Sequence, residues 1–214
     1  MRVVKFLVEG QTEQSFVNSV LYPYLLQLDI SIVPILTGKN KMGGVQKYGG
    51  LKRDLKILLG ESQKNIITTM IDFYNLRDDF PGYKTMPRSN CYLKVKHLEE
   101  AWQAEVSQPH FIPYLQLHEF EALLFSSIDD IHNLFSDKNK LADLQSITSQ
   151  FNNPEEINEG NNTSPAKRLK SLYPEYQKPL AGVSISKKIG LSKMRDNCRH
   201  FNEWLTKLEN LRDS

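Results

Sequence analysis

Five carboxylates stand where they could act together. Glu9 follows the apolar run RVVKFLV, Glu13 lies four residues on, Asp72 closes NIITTMI, and Glu119 and Glu121 follow FIPYLQL. A carboxylate at the end of a buried strand is costly unless something there uses its charge. If the three runs are neighbouring strands of an open α/β sheet, their carboxyl ends share the edge where such sheets carry their sites. Carboxylates gathered in this way repel one another, and a bound divalent cation is the usual compensation. An all-oxygen set suits Mg2+ or Mn2+ rather than zinc. Gly10 lets strand turn sharply into helix, which sets Glu13 one helical turn beyond Glu9. Each acid also has a plainer role. Glu13 suits a helix N-terminus, with Thr12 as a cap, Glu9 suits a surface, and Asp72 suits the cap of a turn. The agreement of three strand ends argues for a shared site.

The elements that must position these acids follow from apolar spacing. Arg2 to Val8 reads as a buried strand. Gln11 to Leu28 has the 3.6-residue spacing of a helix, which Pro23 is expected to kink or interrupt. Ile30 to Leu36 is a second strand, at an edge or a bulge because of Pro34. Leu51 to Leu59 is a helix with Gly60 as its stop. Asn65 to Ile71 is a third strand, Ser89 to Val106 a helix, and Phe111 to Leu117 a fourth strand leading into a helical stretch through Phe125. Strand and helix in alternation predict a mainly parallel α/β sheet flanked by helices. Strand signals end after residue 126, so residues 1–126 are expected as the core and 127–214 as a helical extension packed on it. The polar stretch near 152–165 is its flexible piece, and Asn197 to Leu211 its clearest helix, with Phe201, Trp204, Leu205 and Leu208 on one face.

Charge is unevenly spread behind a formal net of +2. Gly38 to Lys56 holds six Lys/Arg against Asp54, Glu119 to Gly160 nine acids against two lysines, and Ala166 to Ser214 eleven Lys/Arg against five acids. Basic runs can draw a phosphate backbone, though each also suits a solvated face. GGVQKYGG lacks the Lys-Ser/Thr that a phosphate-binding P-loop requires, so no nucleotide hydrolase is expected here. No apolar run approaches the roughly 20 residues that span a bilayer, and the N-terminal run, broken by Lys5, is too short for a signal peptide. Cys91 and Cys198, outside any CxxC, read as free thiols. A cytoplasmic protein is expected.

The strand ends FLVEGQTE and MIDFY, with a later acidic strand end, resemble the Toprim domain shared by topoisomerases, bacterial primases and nucleases of the overcoming-lysogenisation-defect (OLD) class. More narrowly, VEGQTE, IDFYNLRDDFPG, LHEFEALLFS, SPAKRL, KKIGL and CRHFNEWL resemble a Toprim-like bacterial family of unknown function, number 4276, over nearly the whole chain. The resemblance implies metal-dependent phosphodiester chemistry in a Toprim-like α/β fold. Glu9 is then metal ligand or general acid/base, Asp72 is catalytic as well as a ligand, Glu13 is a ligand, and Glu119 and Glu121 are assigned to the metal beside them. The family motif Asp-x-Asp begins at Asp72 but has Tyr74 in its second place. Asp78, Asp79, Glu119 and Glu121 are the possible sources of the missing oxygen. A lysine offsetting charge on the transition state is sought among Lys178, Lys187 and Lys188, with Lys187 assigned to that role. Lys39, Lys41, Lys47, Arg168 and Lys178 are assigned to nucleic-acid phosphates. His118 is read as a structural hydrogen-bonder.

The expected function is an Mg2+- or Mn2+-dependent nuclease in antiviral defence or DNA processing, with DNA ranked ahead of RNA. OLD-class nucleases carry an ATPase on the same chain; none is legible here, so a separate ATPase partner is implied by analogy. The competing expectation is a non-catalytic Toprim-like module within a larger complex, to which Tyr74 lends support. A nucleotide- or phosphate-transfer enzyme using the same acids ranks third.

Overall fold

The computed structural model describes residues 1–38, 47–61, 64–135, 138–158, 160 and 162–213. Strand β1, Arg2–Val8, is followed by helix α1, Gln11–Phe16, a single π turn, Val17–Leu21, and helix α2, Tyr22–Leu26. Next come β2, Ile30–Leu36, α3, Tyr48–Glu61, β3, Ile66–Asp72, and α4, Cys91–Val106. Two short strands, β4, Phe111–Ile112, and β5, Leu115–Gln116, lead into α5, Glu121–Leu124. Beyond these the described residues contain no strand: α6, Ile128–His132, α7, Leu141–Thr148, α8, Pro165–Leu172, α9, Val183–Asn197, and α10, Arg199–Glu209, complete the chain. No described helix is long and apolar enough to cross a membrane.

All pairings in the sheet are parallel, in the order β2-β1-β3-β4, with β5 also on β3. This is the mainly parallel, helix-flanked sheet that the strand–helix alternation predicts. The chain steps from β1 one way to β2 and then back past β1 to β3. Right-handed crossovers therefore put α1 and α2 on one face and α3 and α4 on the other. The side chains agree. Val4, Phe6 and Val8 of β1 enter a core with Phe16, Phe120, Phe201 and Trp204. Leu7 points to the opposite core, with Leu51, Leu55, Val95 and Trp102. Two-sided cover is why these strands read as near-continuous apolar runs.

Several local expectations are modified. The π turn Val17–Leu21 sits just upstream of Pro23, so the chain absorbs the missing N–H by widening its helix rather than stopping it. Pro34 lies on the edge strand β2, as its missing donor requires. Gly60 does not stop α3, which runs on to Glu61, and Glu61 pairs with Lys5 of β1. The fourth strand is split at Pro113. Across the gap, the Thr69 hydroxyl donates to the Tyr114 carbonyl and accepts the Tyr114 N–H, both at 2.8 Å. The Thr68 hydroxyl donates to the Ile112 carbonyl at 2.7 Å. The paired threonines of β3 thus replace ladder bonds that Pro113 interrupts.

The segment expected as flexible carries a structural anchor. Glu155 is fully buried, and its carboxylate accepts the backbone N–H groups of His200 and Phe201, both at 2.9 Å. It thereby caps the N-terminus of α10, where a negative charge is favoured. Trp204 of that helix donates from Nε1 to the Thr68 hydroxyl at 2.9 Å and stacks on Tyr114 with ring centroids 4.1 Å apart. The helical second half therefore supplies one wall of the sheet's core. Trp204→Ala is expected to lower folding stability by about 3–5 kcal/mol, the usual loss for a buried Trp. Urea unfolding followed by circular dichroism checks this. A loss below about 1 kcal/mol would show that α10 packs independently of the sheet.

Candidate functional site

In the sheet order, β1 lies between β2 and β3, so the crevice at the carboxyl ends of β1 and β3 is the topological switch point, where open α/β sheets bind their ligands. Glu9 and Asp72 stand on either side of it. Val8 is in register with Met70, and Asp72 with Gln116, so the ends of β1, β3 and β5 arrive together. The Glu9 carboxylate accepts the Asp72 N–H at 3.0 Å. Asp72 Oδ1 accepts the Phe120 N–H at 3.0 Å, fixing the start of α5 against the end of β3. Glu121, one residue later, is fully buried.

Gly10 is needed for a different reason than a turn. Its backbone is extended (φ −145°, ψ −177°), which any residue adopts. A Cβ there, however, would lie 3.0 Å from the Glu13 carboxylate. Glycine leaves room for Glu13 to fold back from the first turn of α1 into the crevice, where it is buried.

At the centre is Lys178. Its Nζ lies 3.4 Å from Glu13 Oε1, 3.2 Å from Asp72 Oδ2 and 3.2 Å from Glu121 Oε2. Lys178 opens a π turn, Lys178–Gly182, that packs on α1. Gly182 allows that contact: a Cβ would meet the Tyr176 hydroxyl at 3.1 Å, the Phe120 ring at 3.3 Å and the Thr12 methyl at 3.7 Å. Tyr176 donates its hydroxyl to Glu121 Oε1 at 3.0 Å. Burial raises the carboxyls of Glu9, Asp72 and Glu121 above the ordinary range, Asp72 most, with neighbouring acids adding to each shift. Burial opposes the charge of Lys178, but Asp72, Glu121 and Glu13 together hold its ammonium well above the usual lysine value. Four carboxylates against one ammonium leave three formal negative charges at the crevice.

The expected residues divide accordingly. Glu9, Glu13, Asp72 and Glu121 are brought together. Glu119 lies beside them, but its carboxylate accepts the Ala166 N–H at 3.0 Å at the start of α8. The lysine among the acids is Lys178, which was assigned to nucleic-acid phosphates; Lys187, assigned to the transition state, is exposed on α9. Lys39 and Lys41 lie outside the described residues. Lys47 is exposed ahead of α3. Arg168 donates to the Thr163 carbonyl at 2.6 Å and stacks over Phe151 at 5.4 Å. Of the other oxygens considered, Asp79 accepts the Tyr48 N–H at 3.0 Å at the start of α3, and Asp78 is exposed. Tyr176 and Gly182 were missed, and only their nearness to Lys178 in sequence hinted at them.

The donor set is all carboxylate oxygen, the kind that hard divalent cations take. Glu13 Oε1 and Glu121 Oε2 are buried with no hydrogen-bond partner among the described residues, and both face the same point. In kind, these residues fit Mg2+ or Mn2+. In spacing they surround an ammonium: among the described residues, no three of His, Cys, Asp and Glu are close enough to share a metal ion.

A family model described as a domain of unknown function (DUF4276) matches residues 8–209. No curated protein matches the chain. Among solved structures, the chain is similar to the C-terminal region of the Burkholderia pseudomallei OLD protein, with 17% identity, a TM-score of 0.48, and 99% of this chain and 98% of that one covered. It is also similar to the C-terminal region of the Xanthomonas campestris pv. campestris OLD protein, with 15% identity, a TM-score of 0.45, and 98% and 96% covered.

His118 forms the turn between β5 and the acids of α5, in a left-handed conformation (φ 61°) that non-glycine residues seldom adopt. Its carbonyl accepts the Tyr74 N–H at 3.0 Å, and its ring Nδ1 lies 3.1 Å from the Asn158 amide nitrogen. Burial, with Lys94 nearby, holds the ring down at about 4, against the ordinary 6.5. As pH falls from 6.5 towards 4, the unfolded chain takes up a proton that folded His118 refuses, so this residue weakens folding over that window. His118→Gln is expected to remove that contribution, worth at most about 1.4 kcal/mol per pH unit. Urea unfolding of both proteins between pH 4 and 7.5 checks it. Equal slopes for the two would sink this assignment.

Proposed function

We propose that this chain, which belongs to the DUF4276 family, hydrolyses phosphodiester bonds in nucleic acid with the help of Mg2+ or Mn2+. One observation carries the reading: three buried acids from separate segments, Glu13, Asp72 and Glu121, converge on a single point at the switch crevice of the sheet, and partly buried Glu9 adjoins them through the Asp72 N–H. Burying that charge is costly unless chemistry uses it. The motifs VEGQTE, IDFY and LHEFEALLFS, which carry the Toprim resemblance, supply those acids.

Glu9, Glu13, Asp72 and Glu121 would hold the cation, which when bound supplies a Lewis acid for the phosphate and an activated water. Glu9 is less buried than the other three, and burial raises its carboxyl. It is the residue suited to take up and return a proton while the phosphodiester is cut. Asp72 is fixed by the Phe120 N–H and Glu121 by the Tyr176 hydroxyl, so both are oriented before substrate arrives. Lys178 supplies the positive charge that a phosphoryl transition state needs. Glu119, engaged with α8, positions the neighbouring acids. Lys47 and Arg168 remain assigned to substrate phosphates, DNA ranking ahead of RNA. A separate ATPase subunit, and a role in antiviral defence or DNA processing, follow from the sequence resemblance alone.

A second reading has its own support. An ammonium already among the acids, with Tyr74 in the place of an Asp, suits a non-catalytic module that binds nucleic acid or a partner.

Incubation with plasmid DNA and with RNA in Mg2+, in Mn2+ and in a chelator tests the two. Glu9→Gln and Asp72→Asn are expected to slow cleavage on the order of a hundredfold or more. Glu119→Gln should cost less, about 10–100-fold, the scale of a supporting contact. Cleavage that survives Glu9→Gln unchanged would remove these acids from the chemistry. Absence of both cleavage and calorimetric cation binding would leave the module reading.

A further inference from the structure

The spacing of the acids holds a contradiction that Lys178 resolves. Three carboxylate oxygens from α1, the end of β3 and α5 converge on its Nζ at 3.2–3.4 Å. Asp72 accepts a well-aligned hydrogen bond from it, Glu121 stands equally near at 3.2 Å, and Glu13 lies farther off at 3.4 Å. Glu13 Oε1 and Glu121 Oε2 are buried facing the ammonium, and neither is met by a well-directed N–H from a described residue. An ammonium offers three directed donors, whereas oxygens that simply point at a common centre suit a spherical ion. Mg2+ draws its oxygens to about 2.0–2.1 Å. The carboxylates would therefore close in by roughly 1 Å around such a cation, and the ammonium holds them apart.

The two sides of this arrangement differ in freedom. The side chains of Glu13, Asp72 and Glu121 are at most 5% exposed, whereas that of Lys178 is 33% exposed. Lys178 reaches in from the π turn Lys178–Gly182, whose Leu180 is 69% exposed. Its four-carbon stem can swing outward without disturbing the core; the acids cannot leave. We propose that Lys178 is a tethered counter-ion, holding the place of the divalent cation and leaving it when the cation enters. Entry of the cation and release of the ammonium are then one exchange. The freed ammonium, still on its turn beside the crevice, becomes available to substrate phosphate. This inference rests on the metal reading above.

Lysine footprinting on the unmodified protein tests it without reference to activity. Acetylation of Lys178, read by mass spectrometry, should be low without metal and rise towards that of exposed Lys187 when Mg2+ is added. Lys178→Met should bind Mn2+ in calorimetry more tightly than the wild type, on the order of tenfold, because the cation then has no tethered ammonium to displace before it can enter. If that variant does not fold, the footprint of the wild type decides. Cation binding with Lys178 labelling unchanged, or an affinity not raised in Lys178→Met, would overturn the exchange and leave the metal site standing. Failure of both proteins to bind Mn2+ would overturn the metal reading and the exchange with it.

Discussion

Asp72 is bonded on three sides, and the carboxyl edge of the sheet is organised through it. Its N–H is taken by Glu9, one oxygen takes the Phe120 N–H, and the other faces Lys178. One residue thus joins the end of β1, the end of β3, the start of α5 and the turn that carries Lys178. Each of those bonds is made in a crevice with little water, where an unpaired carboxylate would be expensive. The same scarcity of water lifts the carboxyls of Asp72, Glu9 and Glu121. Charge, hydrogen bonding and backbone direction are solved together at this position.

The sheet could be read in the sequence because its strands are covered on both faces. RVVKFLV and NIITTMI are near-continuous apolar or β-branched runs, the first interrupted by Lys5, and acids end both. What escaped the reading depends on contacts between distant segments. Lys178 resembles every other lysine of the basic tail until the π turn is docked on α1, and that docking depends on the absence of a side chain at Gly182. Gly10 was singled out for turning the chain, yet it serves to admit the Glu13 carboxylate. Thr68 and Thr69 look like ordinary strand residues until Pro113 breaks the neighbouring strand and their hydroxyls fill the gap.

The second half of the chain shows why a polar composition is a poor guide to looseness. NNPEEINEGNNTSP has the composition of a linker, but Pro154, Glu155, Ile157, Ser164 and Pro165 within it are buried. Glu155 is held because the N-terminus of α10 lacks intrahelical partners, and its carboxylate meets two of those N–H groups at once. Helix α10 is in turn held to the sheet by Trp204. An acid inside a polar stretch thus helps to seat one wall of the core.

The spread of the crevice along the chain has a consequence for how the protein is made. Glu9, Glu13 and Asp72 leave the ribosome well before Lys178, by on the order of ten seconds at ordinary elongation rates. During that interval β1, β2 and β3 can pair, but their acids meet with no tethered ammonium among them. The nascent edge must stay hydrated, keep its protons or borrow a cation from solution. The crevice closes only when the segment after α8 folds back onto α1, so its completion is a late event in synthesis, although its first acid, Glu9, stands at the end of the first strand.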